Sequence, residues 1–360
     1  MHFQATRTGA WWILTSTRGP LRVTHFGVTG DRPGGMAQVV RSYMGWTYER
    51  STVRAIASTN GRGDPLSGLR MLRCLIALFP MWFRGRDVAH VHLSQGGAFV
   101  REGAIVALSH FLRIPAVAHL HGSRFARFTA AHPRLVRWVL RRADAIIVLT
   151  SEAAATIHRV DPTLDARVTQ LANAVWIPPL PVTKAHEVVF AGEVGHRKGA
   201  DLLIEAWTQI HVADWELVIA GPLTADGPVL DGVPGVRVLG AVPHEQVLTL
   251  LETSSIAVLP SRHEALPMFL LEAMARSNAV ISTTVGDIPR LLEGQAGVVL
   301  DSPTPNDVAA ALISLMEDEE RRSELQRNAR SRVEGRHNAT SLAIELDELW
   351  VTLADGRHRR

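Results

Sequence analysis

The chain has 360 residues, 46% of them apolar and 20% charged, with 38 basic residues set against 35 acidic ones. That length exceeds one comfortable core and points to two domains, while the composition excludes a disordered chain and the near-balanced charge gives no surface for nucleic acid. The single Cys74 excludes an internal disulfide, which fits a reducing, cytoplasmic setting, and reads as a small buried apolar side chain.

Residues 1–20 hold a short apolar patch, Trp11 to Leu14, without the charged start, long apolar centre and cleavage site of a signal peptide. From there on, short β-branched runs alternate with helix-period segments, the pattern of parallel sheets covered by crossover helices. Strands are expected at 21–28, 52–58, 87–93, 115–121, 145–150 and 167–173. The stretch NAVWIPPLPVTKAH, residues 173–186, carries three prolines, breaks both periodicities and reads as a linker. A second series follows at 187–194, 215–221, 236–242, 256–261 and 279–286, a second doubly wound domain. From about Asn306 the chain is helical and charged, ending in an amphipathic helix, SLAIELDELWVTLADG. The longest apolar run, Cys74 to Phe83, falls far short of the ~20 residues that span a bilayer.

Open parallel sheets bind ligands beyond the carboxyl ends of their strands. After the first strand, GVTGDRPGGMAQVV places Gly34 and Gly35 where a loop runs into a helix and backbone N–H groups can approach a ligand; a turn that merely needs flexible residues accounts for the pair equally well. HLHGSRF puts His119 and His121 on one face of the fourth strand. His121, at the carboxyl end, is the candidate site residue, and His119 reads as a packed strand residue. Neither this pair nor His90 with His92 has a Cys or acidic third ligand at metal-site spacing.

In FAGEVGHRKGADLLIEAW, Arg197 and Lys198 lie beside a helix N-terminus, where cations are unfavourable unless an anion such as phosphate shares the site; two solvated loop cations are the alternative. In SRHEALPMFLLEAMA, Pro267 suits the first turn of a helix. Glu264 then stands just before that helix, the amides of Met268 and Phe269 are free to hold a diphosphate, and Glu272 lies about a turn and a half inside an apolar run. A carboxylate there needs a partner, which the two hydroxyls of a ribose would supply; a place on the polar edge of an amphipathic helix would also explain it. Ser67 to Arg86 mixes Arg70, Arg73, Arg84 and Arg86 with Leu, Phe and Trp. It reads first as a crossover helix packed on the first sheet, and second as a helix lying on an anionic membrane.

The ordered series PGGMAQ, AHVHL, HLHG, ADAIIVLTSEA, GEVGHRKGADLLIEAW, LVIAGPL, VRVLGAV and VLPSRHEALPMFLLEAMARSNAVISTTVGDIPRLL, together with the turn at Asn173, resembles the retaining nucleotide-sugar glycosyltransferases of family four. The resemblance covers nearly the whole chain after Leu21. It implies an α/β fold of the GT-B type, two Rossmann-like doubly wound domains with a cleft between them: residues 1–178 for the acceptor, 184–335 for the nucleotide sugar, and 336–360 as a C-terminal helix returning to the first domain. It implies that Glu264 and Glu272 are the acidic pair of an E-x7-E motif, the first facing the donor sugar and the second the ribose. Lys198 and Arg197 would bind the departing diphosphate, Gly34 and Gly35 would cover the donor phosphates, and His121 would lie near the transferred sugar. The backbone of Ala265, Leu266, Pro267 and Met268 would complete the donor pocket.

Departures from the family pattern are Glu193, where an Arg is common, and Ala265, where a Gly usually follows the first Glu. The implied reaction moves a hexose from a UDP- or GDP-linked donor to a hydroxyl of a glycan or lipid-linked acceptor in cell-surface polysaccharide synthesis. Its setting would be the cytoplasm or the inner face of the membrane. No D-x-D tripeptide occurs, so turnover without a metal cofactor is expected, with Lys198 and helix dipoles in place of the cation. Two further readings share the architecture: a nucleotide-sugar epimerase, which would need acid and base carboxylates for elimination at the sugar, and a non-catalytic nucleotide-sugar-binding subunit.

Overall fold

The computed structural model describes residues 21–28, 35–61, 63–122, 124–179, 183–212 and 214–357; residues 1–20 and Gly34 lie outside the described residues. Strands β1 (Leu21–Val28), β2 (Ser51–Thr59), β3 (Asp87–Leu93), β4 (Ala116–Leu120), β5 (Ala145–Val148) and β6 (Val168–Gln170) form one sheet in the order β2-β1-β3-β4-β5-β6. Strands β7 (Ala185–Ala191), β8 (Glu216–Ala220), β9 (Val236–Gly240), β10 (Ser254–Leu259), β11 (Ala279–Thr283) and β12 (Val298–Leu300) form a second in the order β12-β11-β10-β7-β8-β9. Every strand pairing is parallel. Helices cover both faces, so central strands are buried throughout; all seven residues of β3 and all six of β10 are buried. The expected strands are present. β12 escaped the sequence reading because three residues at a sheet edge show no periodicity.

Strand order reverses between β1 and β3 in the first sheet and between β7 and β10 in the second. Crossovers leave in opposite directions at such a switch point and open a crevice beyond the carboxyl ends of the strands. The chain passes between the sheets twice, and the two passages pair: the Val175 N–H donates to the His337 carbonyl at 2.9 Å, and the Ala339 N–H to the Val175 carbonyl at 3.0 Å. The helix Ala339–Arg357 then lies back on the first sheet, where the Trp350 Nε1–H donates to His90 Nδ1 at 3.1 Å and Asp347 accepts the Arg50 N–H at 2.8 Å.

The helix Ser67–Arg84 is the crossover between β2 and β3. It buries Cys74, Leu78 and Met81 against the first sheet. Its outer side is not polar, for Leu69, Leu72, Ile76, Phe79, Trp82 and Phe83 are all about half exposed or more. No helix among the described residues is long and apolar enough to cross a membrane.

Candidate active site

The loops leaving β7 and β10 meet at the switch point of the second sheet. After β7, a short 3-10 turn, His196–Lys198, leads into the helix Ala200–Trp207. After β10, residues 260–267 lead into the helix Met268–Ala275. Two contacts clamp these loops. Gly199, at φ +73°, packs so closely that a Cβ would stand 1.9 Å from the Pro260 carbonyl oxygen, so both its conformation and its bulk require glycine. Arg262 spans the gap: its N–H donates to the Arg197 carbonyl at 2.9 Å, and its guanidinium grips Asp201 with two hydrogen bonds of 2.8 Å.

The clamp brings Lys198 and Glu264 into contact. The Lys198 ammonium donates to Glu264 Oε1, which also accepts from Ser261 Oγ at 3.2 Å. Both side chains are mostly buried, 14% and 11% exposed, where an ion pair is screened less than at the surface. Arg197 is different. Its guanidinium lies 3.8 Å from Glu264 Oε1 but donates to Glu193 at 2.8 Å and to the His263 carbonyl at 3.3 Å, and it is 40% exposed. Glu193, the departure noted above, thus holds the neighbouring cation.

Glu264, Ala265 and Gly286 form one wall of a narrow cleft, and Gly122, Phe125, Thr150 and Glu152 of the first domain form the other. β4 stops at Leu120, so His121 is the first residue beyond the strand rather than within it, and its N–H still bonds the Leu93 carbonyl at 2.9 Å. His121 therefore adjoins the wall facing Glu264.

The helix containing Glu272 has all eight residues buried, which removes the amphipathic-edge explanation for that carboxylate. Pro267 occupies the position just before the helix, not its first turn. Glu272 Oε1 accepts from Gln38 Nε2 at 3.1 Å and lies 3.3 Å from His244 Nε2. Gln38 sits on the helix Gly35–Gly45 of the first domain and His244 opens the helix His244–Thr253 of the second, so Glu272 ties the domains together across the cleft.

The comparisons with known proteins bear on the family and the fold. The model described as glycosyl transferases group 1 matches residues 178–332, and that of glycosyltransferase family 4 matches residues 26–175. This chain belongs to the family 4 glycosyltransferases. It is 26% identical over 280 residues to the alpha-D-kanosaminyltransferase of Streptomyces kanamyceticus, covering 67% of this chain and 71% of that one. Among solved structures it resembles a sucrose-phosphate synthase from Thermosynechococcus elongatus, with a TM-score of 0.73, 17% identity and coverage of 93% and 100% of the two chains. It also resembles Anabaena HepE in complex with UDP-glucose, with a TM-score of 0.70, 14% identity and coverage of 92% and 100%. The two Rossmann-like sheets are thus those of a GT-B transferase.

Within this glycosyltransferase the remaining candidates divide. Gly35 begins its helix as the sequence suggests. Leu266 and Met268 direct their side chains into the core, and the Leu266 carbonyl accepts from Asn173 Nδ2 at 3.0 Å, tying the linker to the site. Ala265 alone of these lines the cleft. A larger cavity lies behind the paired crossings, lined by Gln170, Asp287, Arg290, Arg332, Arg336 and His337. It contains neither Lys198, Glu264 nor His121, and the transferase site is not placed there.

Sequence reasoning missed Gln38, His244, Arg262 and His25. None carries a local motif, and each becomes visible only through a partner that the fold brings in from a distant stretch of chain, for Gln38, Arg262 and His25 one more than 60 positions away. His25 joins His90, His92, His119 and His121 in a buried group of imidazoles, within which two sets of three have ring nitrogens within 4.8 Å of one another. The sequence reading looks for a Cys or acidic third ligand near each histidine pair; the third group here is an imidazole from an adjacent strand, His25 standing beside His90 in the sheet register. His119 is buried and hydrogen-bonded to His90 at 3.0 Å, a packed strand residue.

Proposed function

We propose that this transferase moves a hexose with retention from a UDP- or GDP-linked donor to a hydroxyl of a glycan or lipid-linked acceptor in cell-surface polysaccharide synthesis. The observation that carries the reading is the contact of Lys198 with Glu264 at the switch point, facing the first domain across the cleft. As the bond to the diphosphate lengthens, negative charge grows on the phosphate oxygens and positive charge on the anomeric carbon. A cation on one side and a carboxylate on the other stabilise both. The doubly charged diphosphate competes with Glu264 for the Lys198 ammonium, leaving the carboxylate facing the sugar. The acceptor hydroxyl attacks from the face that the diphosphate leaves, and the departing phosphate oxygen takes its proton, so no side-chain base is required. The UDP-glucose bound by the HepE structure supports a uridine donor.

Incubation with UDP-glucose and with GDP-mannose, with products separated by chromatography, tests the reading. Transfer to an acceptor or slow release of free sugar and nucleoside diphosphate is expected; a free epimer as the sole product would overturn it. Activity is expected to survive excess EDTA, because Lys198 supplies the charge that a metal would bring. Loss of turnover on chelation with recovery on magnesium would refute that part.

The outer side of the helix Ser67–Arg84 supports an acceptor at a membrane. Six large apolar side chains are exposed there together, a patch of a kind that marks an interaction site. Arg70 and Arg84 pair with Asp64 and Asp87, so apolar insertion supplies most of the attraction and anionic headgroups a smaller part. Wild-type protein is expected to float with phosphatidylglycerol vesicles, and Trp82→Asp with Phe83→Asp to remain in the soluble fraction. Wild type that fails to float would exclude peripheral attachment by this helix.

A further inference from the structure

Trp350, on the helix Ala339–Arg357, is fully buried against the first sheet and sets its ring edge-on to His25 and His90, with centroids 5.6 and 5.7 Å away. Its Nε1–H donates to His90 Nδ1 at 3.1 Å, and His90 Nε2 meets His119 Nδ1 at 3.0 Å. Burial, and after it the neighbouring imidazoles, holds the basicity of His90 and His119 far below that of a free histidine, so each ring is neutral and carries one proton. The protons of this chain are fixed from its outer end. An indole N–H can only donate, so His90 Nδ1 must be a bare acceptor and the His90 proton lies on Nε2. That proton is donated to His119 Nδ1, and His119 keeps its own on Nε2, a buried atom without a partner.

Neither ring can take a second proton where it stands. On His90 Nδ1 that proton would face the Trp350 N–H, and on His119 Nδ1 it would face the His90 N–H, so either way a hydrogen bond becomes a meeting of two donors. The surroundings offer no relief. The titratable groups packed on the two rings are His25 from β1, His92 from β3, His121 from the turn after β4 and Tyr43 from the helix Gly35–Gly45. Tyr48 packs on the Trp350 ring, and Asp347, one turn before Trp350, accepts from the Arg50 N–H. The histidine–carboxylate contacts among the described residues are His158 with Asp165 and His244 with Glu272, both elsewhere.

We propose that Trp350, His90 and His119 form an acid-sensitive clasp, and that acidification releases the helix Ala339–Arg357 from the first domain. Lifting Trp350 bares His90 Nδ1, and only then can that ring be protonated. The sign follows from linkage. A histidine in water titrates at about 6.5. Below that pH the released form binds protons that the docked form refuses, and docking weakens; above it both forms are neutral and the helix stays docked. Each imidazole uncovered costs about a tenfold loss in the docking equilibrium per pH unit, His90 first. The clasp stands on the first domain and its returning helix, independently of sugar transfer.

The test is hydrogen–deuterium exchange read by mass spectrometry on the full chain from about pH 7 to about pH 5, with rates corrected for the intrinsic effect of pH on amide exchange. Protection of peptides within 339–357 is expected to fall by about tenfold or more per pH unit below about pH 6.5, while the helix Met268–Ala275 of the second domain keeps its protection. The amide of His90→Gln offers Trp350 an acceptor and His119 a donor without titrating, so this variant should show a slope shallower by about tenfold per pH unit. Should it fail to fold, His90→Leu combined with Trp350→Phe removes acceptor and donor together and is read in the same way. His110→Gln, at an exposed histidine, is the control and should leave the slope unchanged. Protection over 339–357 that is indifferent to pH, or a slope that the His90 variants leave as it was, overturns the clasp. Loss of protection over 339–357 only together with Met268–Ala275 also overturns it, since the acid effect would then be global unfolding.

Discussion

Lys198→Ala is expected to lower nucleoside-diphosphate release from the donor by about 10²–10³-fold, the usual effect of removing one preorganised group that stabilises transition-state charge. The loss should appear in kcat, because the ammonium matters most when the leaving phosphate carries its full charge. Lys198 also contacts Glu264, so a purely structural ion pair must be separated from a catalytic one. Removing one partner leaves a mostly buried charge alone, whereas removing both leaves neither. The double variant Lys198→Ala with Glu264→Ala should therefore recover thermal stability relative to each single variant and still be inactive. A double variant that regains activity would reduce the pair to a structural tie.

Gly199→Ala is expected to be the most damaging single-methyl change in the site. The left-handed backbone at φ +73° costs a non-glycine residue roughly 1–2 kcal/mol. The added Cβ cannot stand 1.9 Å from the Pro260 carbonyl oxygen, so the loops must separate. Overpacking of this kind adds about 1–3 kcal/mol. Denaturant unfolding should show a loss of at least ~2 kcal/mol, and activity should fall even below the melting transition, because Lys198 precedes Gly199 and moves with it. Gly232, also at positive φ but with nothing within 4 Å of its Cβ position, provides the control. Gly232→Ala should show the backbone cost alone and retain activity. Equal losses at both positions would show that the close approach to Pro260 contributes nothing.

The alternation of β-branched runs with helical segments made two parallel sheets legible, since a strand buried on both faces must be apolar along its length. The short β12 was not legible for the same reason reversed, too few residues to carry a pattern. Lys198 and Glu264 were found because each lies at a strand's carboxyl end beside a helix start, a place the fold makes available to ligands. Arg197 stood equal to Lys198 in sequence; the fold separates them by turning one toward Glu264 and the other toward Glu193 and solvent.

By itself the sequence determined the order of elements, the crossover linker near 173–186 and the positions of charged residues at strand ends, because periodicity and turn chemistry are local. Only the tertiary structure decided which distant groups complete each other. Gln38 reaches Glu272 across the domain boundary, His244 reaches it from a separate helix of the second domain, Arg262 holds Asp201, and His25 meets His92. A buried polar atom must find a partner wherever the packed chain brings one within about 3 Å, and that neighbour is set by strand order and register, which no short stretch of residues encodes.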